Sequence, residues 1–225
     1  ATDEIKLFFE NEDIFKKLVK DNSSFIEKIY DRCAERTQKK DASETSKLAK
    51  KLSKVKVASL MDAAGKNREK CSLFITEGQS ASGGVLAVRD PDYHGVIPLR
   101  GKVLNVNGLP PKKVLENKIL QDIMAATGLV IGKKAIISEL NYGQILIATD
   151  EDQDGKNIRS LMINFFYTFW PELFQQEKPF IRIFMTPFII AQKGKERKYW
   201  YSYNYEDFNP EKLKGWNITR AKGLG

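Results

Sequence analysis

Histidine occurs once in the 225 residues, as His94, and cysteine twice, as Cys33 and Cys71. A lone histidine argues against histidine-ligated metals and against any mechanism built on a Ser-His or Cys-His pair. Two isolated cysteines make neither a disulfide framework nor a zinc site, and read as half-buried thiols. No uninterrupted apolar run approaches the roughly 20 residues that a membrane helix requires. The first residues carry no basic-then-apolar signal peptide. There is no internal repeat and no low-complexity stretch. These absences lead us to expect a soluble globular protein in a reducing, cytosolic setting.

What is present is enough apolar content, 42%, to bury a real core, and a formal net charge of +8. The length suits one large domain or one domain with appendages. The basic excess makes a polyanion the expected partner, although lysine-rich surfaces also serve solubility alone. Against that basic background stands an acidic knot. Asp150, Asp152 and Asp154 alternate directly after the apolar run Gln144-Ile145-Leu146-Ile147-Ala148-Thr149, and Gly155 then opens a long helical pattern. The run is short, β-branched and uncharged, as a strand buried on both faces of a parallel sheet should be. Ligands collect where such strands end.

Side chains two apart in an extended segment face the same way, so alternate aspartates can converge on one point. Like charges so close are tolerable only with a cation among them or with some carboxyls protonated. With oxygen donors alone, magnesium is the natural guest. Glu77 supplies a further carboxylate. It follows the strand pattern Leu73-Phe74-Ile75-Thr76 and precedes Gly78, which lets the chain turn sharply. If the two strands are parallel neighbours, Glu77 and Asp150 hold one magnesium, and Asp152 with Asp154 holds a second or orients its waters. Three other readings use the same residues. An EF-hand loop also begins Asp-x-Asp-x-Asp-Gly, but it needs a glutamate at its twelfth position, where this chain has Leu161, and a preceding helix rather than a strand. A phosphatase-like site would use Asp150 as nucleophile and Asp152 as acid, leaving Glu77 and the basic loop without roles. A solvated acidic turn would have no chemistry at all.

Elsewhere the pattern divides the chain. Residues 1–70 look helical and peripheral. Ser24-Phe25-Ile26-Glu27 fits a capping box, and Ile26, Ile29, Tyr30 and Cys33 recur on one helical face. The Lys-rich stretch Arg36 to Lys56 has Leu48, Leu52 and Val55 as a thin stripe and Asp41, Ser43 and Glu44 as start signals. This reads as a helical arm, or as a solvated helix with no partner. Residues 71–178 alternate strands (72–76, 95–99 and the run before Asp150) with helices (80–88, 112–126, 156–174), which argues for an α/β fold with a parallel sheet. Residues 179–225 carry aromatic strand-like runs at 181–184 and 198–203 and a turn region over 204–216.

Four motifs, taken together, resemble the Toprim module and, among Toprim proteins, the type IIA DNA topoisomerases. They are Glu77-Gly78-Gln79-Ser80-Ala81, Pro98-Leu99-Arg100-Gly101-Lys102-Val103-Leu104-Asn105-Val106, Thr149-Asp150-Glu151-Asp152-Gln153-Asp154-Gly155 and Lys222-Gly223-Leu224-Gly225. The first and third are shared with Toprim primases and nucleases; the second and fourth favour the topoisomerases. Arg89-Asp90, Tyr93 and Gly95 look closer to eukaryotic and large-phage enzymes than to gyrase.

The resemblance implies a Toprim-type parallel sheet flanked by helices, with the N-terminal arm as a connector and a C-terminal α+β extension leading to a winged-helix region. It implies Glu77, Asp150 and Asp152 as magnesium ligands, with Asp154 at a second metal. It implies Arg100 and Lys102 beside the cleaved backbone, and Arg100, Lys102, Asn105 and Lys222 as DNA contacts. Two magnesium ions are expected per site, with ATP bound by a region outside these residues. The expected partners are double-stranded DNA and a tyrosine-bearing subunit in a heterotetramer, in the cytoplasm or at the nucleoid. A chain running from Ala1 to Gly225 reads as an excised fragment or a split subunit, inactive alone. A stand-alone Toprim nuclease or primase-like enzyme, and a basic DNA-binding module without catalysis, are the competing expectations. The family usually has an aspartate at the position of Gln79, which puts any base or drug contact there in doubt.

Overall fold

The computed structural model describes residues 12–52, 55–201, 203–220 and 223–224. The chain forms two compact units, residues 1–44 and 45–225. Two helices open it, α1 (Glu12–Asp21) and α2 (Ser23–Leu52). The amides of Phe25 and Ile26 both donate to the Asn22 carbonyl at 3.0 Å, so the helix starts ahead of Ser24, which lies inside it rather than at its cap. The expected second start at 41–44 is likewise absent, because α2 runs through it. Its thirty residues contain neither proline nor glycine to break them.

The second unit is built on four parallel strands: β1 (Ser72–Thr76), β2 (His94–Pro98), β3 (Gln144–Ala148) and β4 (Ile181–Phe184), in spatial order β2-β1-β3-β4. Between them run α3 (Gly78–Val88), α4 (Pro111–Glu116), α5 (Lys118–Thr127) and α6 (Gln153–Phe169). β1 occupies the middle of the sheet, and Leu73, Ile75, Ile145 and Ile147 are fully buried there. This is why β1 and β3 read as continuous apolar runs: a central parallel strand has no wet face. Residues 181–184, expected in the extension, join this sheet as its fourth strand, pairing Ile145 with Ile181 through Ala148 with Phe184.

Two long helical patterns are divided. The stretch expected as one helix over 112–126 splits at Asn117, whose backbone is extended and whose side chain accepts the Leu120 amide at 3.1 Å. An asparagine that can cap a new helix competes with continuing the old one. The stretch expected to end at Phe174 stops at Phe169, because Pro171 excludes the helical conformation from Trp170, which sits at φ −143° and ψ 66°. A short 3₁₀ turn over Pro171–Phe174 follows.

After β4 come β5 (Ile189–Lys193), β6 (Glu196–Trp200) and β7 (Asn217–Arg220), an antiparallel sheet in order β6-β5-β7. Ile189 and Ala191 are buried on β5, and the Lys198 ammonium lies 4.8 Å from the Trp216 ring centroid. Ahead of β1, Arg68 ties the incoming chain to the sheet by donating to Asp62, the Ala63 carbonyl and the Asn141 carbonyl, and it stacks on Tyr142. Among the described residues, no helix is long and apolar enough to cross a membrane.

Candidate functional site

Register decides where the carboxylates go. β1 pairs with β3 in parallel from Ser72 against Gln144 to Thr76 against Ala148, so both strands end together. Glu77, the first residue past β1, and Asp150, the second past β3, therefore leave the sheet on the same edge. The Glu77 amide donates to the Ala148 carbonyl at 3.1 Å, and the Asp150 amide donates to Glu77 Oε2 at 3.3 Å. The second bond joins the two acidic segments directly.

Beyond Asp150 the chain bends at Glu151 and Asp152 and enters α6 at Gln153. Asp150 is half-buried, Asp152 and Asp154 are exposed, and Glu151 between them is buried at 5% exposure. Asp152 caps α6, its Oδ1 accepting the Gly155 amide at 2.8 Å. That use of an aspartate satisfies an otherwise orphaned amide and sets a negative charge at the positive end of the helix. The Thr149 hydroxyl closes the loop by donating to the Gly155 carbonyl at 3.1 Å. A Cβ at Gly155 would stand 2.1 Å from the Asp150 carbonyl oxygen and 3.0 Å from Glu77 Oε2. Replacing Gly155 with alanine is accordingly expected to cost about 1–3 kcal/mol, since the obstructing atom is backbone and cannot step aside. Urea unfolding would measure it, and the same variant should separate Glu77 from Asp150.

Glu77 holds its proton more tightly than an ordinary glutamate. Burial is the main cause; the Asp150 amide opposes it, and the charges of Asp152, Asp150 and Asp154 add to it. The stability consequence follows from linkage. Between the ordinary glutamate range and the raised folded value, the native state binds more protons than the unfolded one, so stability falls as pH rises through that window. In chelator, Glu77→Gln is expected to melt higher than the parent at neutral pH, with the gap closing below pH about 4.5. A gap that persists at low pH would show that charge is not the cause.

The expected site residues are distributed as follows. Glu77, Asp154 and Lys102 line one cavity of about 280 Å³ together with Gly101, Val103 and Asn157. Asp150 and Asp152 line an adjoining cavity of about 220 Å³ with Thr186, Pro187, Phe188 and Gly223. Arg100 is exposed and faces a third, beside Gln79, Ser82 and Pro98. It is therefore set apart from Lys102 although only one residue separates them. Asn105 is exposed, and its Oδ1 accepts the Asn107 amide at 3.1 Å and the Asn164 side-chain amide at 3.5 Å. Lys222 lies outside the described residues.

Two contacts of the site are not specified by the sequence pattern, although the tail motif at 222–225 stands out there. The tail returns to the acidic loop, where the Leu224 amide donates to Asp150 Oδ1 at 2.7 Å. Gly223, at φ +85°, sits so close that a Cβ there would lie 2.6 Å from that same oxygen. Both its left-handed backbone and this approach require glycine. The second is that of Glu151, which lines the same cavity as Asp150 and Asp152 and whose carboxylate meets Arg159 of α6 in a buried two-pronged ion pair.

The donor set suits a hard divalent cation: oxygens only, carried on adjoining strand exits, with Asp150 and Asp152 each engaged in a backbone bond through Oδ1. Among the described residues, no three carboxylate, histidine or cysteine side chains stand close enough to grip a metal at once. Magnesium does not need such a cage, since it keeps several waters and takes one or two carboxylates.

Residues 72–186 match the Toprim domain family. DNA topoisomerase 2 of Arabidopsis thaliana is 38% identical over 229 residues, covering 96% of this chain and 15% of that protein. The Plasmodium falciparum and human proteins, DNA topoisomerase 2 and DNA topoisomerase 2-beta, are each 39% identical, over 171 and 174 residues, or 73% of this chain. The chain spans 12% and 11% of the lengths of those two relatives. In three dimensions it resembles the crystal structure of the Plasmodium falciparum topoisomerase II DNA-binding, cleavage and re-ligation domain, with a TM-score of 0.64 and 36% identity, over 76% of this chain and 25% of that one. Family match, relatives and fold agree, and the chain belongs to the Toprim family, as a homologue of the corresponding part of eukaryotic type II DNA topoisomerases.

Proposed function

We propose that this chain supplies the magnesium-holding half of the DNA cleavage and religation centre of a type II DNA topoisomerase. Its substrate is double-stranded DNA, its partner a tyrosine-bearing chain within a heterotetramer, and ATP is used by a different part of the assembly. The observation that supports this reading is the shared edge of β1 and β3, from which Glu77 and Asp150 leave joined by a hydrogen bond, with Lys102 and Asp154 lining the same cavity as Glu77. Glu77, Asp150 and Asp152 would hold magnesium, with Asp154 at a second ion or its waters. Bound there, magnesium would stabilise negative charge on the oxygens of the phosphodiester undergoing exchange.

The chain's own residues do the rest. Lys102 places a cation on the rim of the cavity that Glu77 and Asp154 line, where a DNA phosphate approaching the carboxylates needs a counter-charge. Arg100, in the neighbouring hollow, is set to hold the backbone at an adjacent phosphate. Asn105 would extend that contact surface, and Lys222 is proposed as a further DNA contact. Asp152 is kept in place by capping α6, so it meets a cation without first giving up rotamer freedom.

The test is reconstitution. With magnesium and supercoiled DNA the chain alone is expected to be inert, and linear DNA joined to protein should form once a topoisomerase chain bearing the tyrosine is added. Unaided nicking or primer synthesis would replace this reading with a stand-alone nuclease or primase.

A further inference from the structure

The acidic loop contains a register problem. Four of its five residues from Asp150 to Asp154 are acidic, the exception being Gln153. Neighbouring side chains in a bending loop point different ways, so shifting the loop by one residue would present Glu151 in place of an adjacent aspartate. Repulsion among the acids does not choose between these settings, because each puts carboxylates on the same side.

We propose that Glu151 and Arg159 are a positioning pair that selects the register of the loop and so decides which carboxylates meet the cation. This rests on the reading of Asp150 and Asp152 as cation ligands. The Glu151 and Arg159 side chains are 3% and 9% exposed, and both guanidinium Nη atoms donate to the carboxylate, Nη2 at 3.3 Å to Oε2. Arg159 is on α6, anchored beside the buried Met162, Phe165 and Phe166. It can be satisfied there only by an acid that turns inward, and a planar two-pronged contact leaves little slack. A buried ion pair is seldom worth more to stability than well-packed apolar residues of its size. Its distinctive contribution is geometric: with Glu151 turned in, Asp150 and Asp152 turn out. The other tethers hold the loop at Asp150, whose amide donates to Glu77 Oε2 and whose Oδ1 accepts the Leu224 amide, and at the first turn of α6, where the Gly155 amide donates to Asp152 and the Thr149 hydroxyl to the Gly155 carbonyl; between these two ends the pair with Arg159 holds Glu151.

The double variant Glu151→Leu/Arg159→Met keeps the buried volume and removes the selection. Manganese binding to the 225-residue chain, followed by electron paramagnetic resonance, is expected to weaken by about tenfold or more, as for other residues that orient metal ligands. The melting temperature should stay near that of the parent. In metal-free protein, amides over 150–155 should exchange faster while those of β1 and β3 do not change. The charge-swapped pair Glu151→Arg/Arg159→Glu should recover part of the affinity, and it serves as the second probe if the apolar pair fails to fold. Parent-like affinity or parent-like loop exchange in the apolar pair overturns the proposal. Asp152→Asn separates the two levels: if it weakens manganese binding and the apolar pair does not, only the positioning role falls. If it binds as the parent does, the cation reading falls and takes the positioning role with it.

Discussion

Asp152→Ala is expected to abolish DNA cleavage by the chain and its tyrosine-bearing partner while leaving salt-sensitive DNA binding in place. As the proposed magnesium ligand, Asp152 would contribute several kcal/mol to the stabilisation of developing charge, and about 4 kcal/mol is roughly a thousandfold in rate. Binding to the duplex depends instead on counterion release by lysine and arginine. Asp152 has a second duty as the cap of α6, so alanine should also cost about 0.5–2 kcal/mol of stability. Asp152→Asn divides the two duties, because asparagine caps a helix as well as aspartate does but is a neutral and poor ligand. The expected result is a parent-like melt for Asp152→Asn with the cleavage defect of Asp152→Ala. Full cleavage by either variant would remove Asp152 from the centre.

The largest effect on stability is expected at Trp170. Its side chain is fully buried, its indole donates to the Val130 carbonyl at 3.3 Å, and its ring lies 5.4 Å, 6.5 Å and 5.8 Å from those of Phe165, Phe166 and Phe169. Alanine there leaves a cavity that surrounding rings on one rigid helix cannot collapse into, and strands the Val130 carbonyl. The expected loss is about 3–5 kcal/mol, which for a chain of this size lowers the melting temperature by about 6–20 °C. Trp170→Phe should recover more than half of it by refilling the space without the hydrogen bond. A loss below about 1 kcal/mol would mean that the aromatic cluster is not the keystone of the α6 packing.

Much of this arrangement can be read from residues alone. β1 and β3 were legible because strands buried on both faces must be apolar throughout, and α6 because its apolar positions recur at helical spacing. The breaks inside helices were less so. Asn117 ends one helix by capping the next, a single side chain overriding a periodicity that looks unbroken; Pro171 was legible as the stop of α6, but the helix ends ahead of it at Phe169 rather than at Phe174. β4 was recognised as a strand but not as a member of the parallel sheet, since nothing in Ile181–Phe184 specifies which edge it will pair with.

The sequence by itself determined the chemistry of the site: acids on alternate residues after one apolar strand, another acid after a second, and a basic loop. That much is local, because alternation in an extended chain dictates which side chains share a face. Only the tertiary structure decided the company they keep. The pairing of β1 with β3 joined Glu77 to Asp150, the return of the tail set the Leu224 amide on Asp150, and the burial of Arg159 turned Glu151 inward. Contacts between residues more than seventy positions apart, and the desolvation that makes an ion pair directional, are properties of a packed interior and have no counterpart in a local pattern.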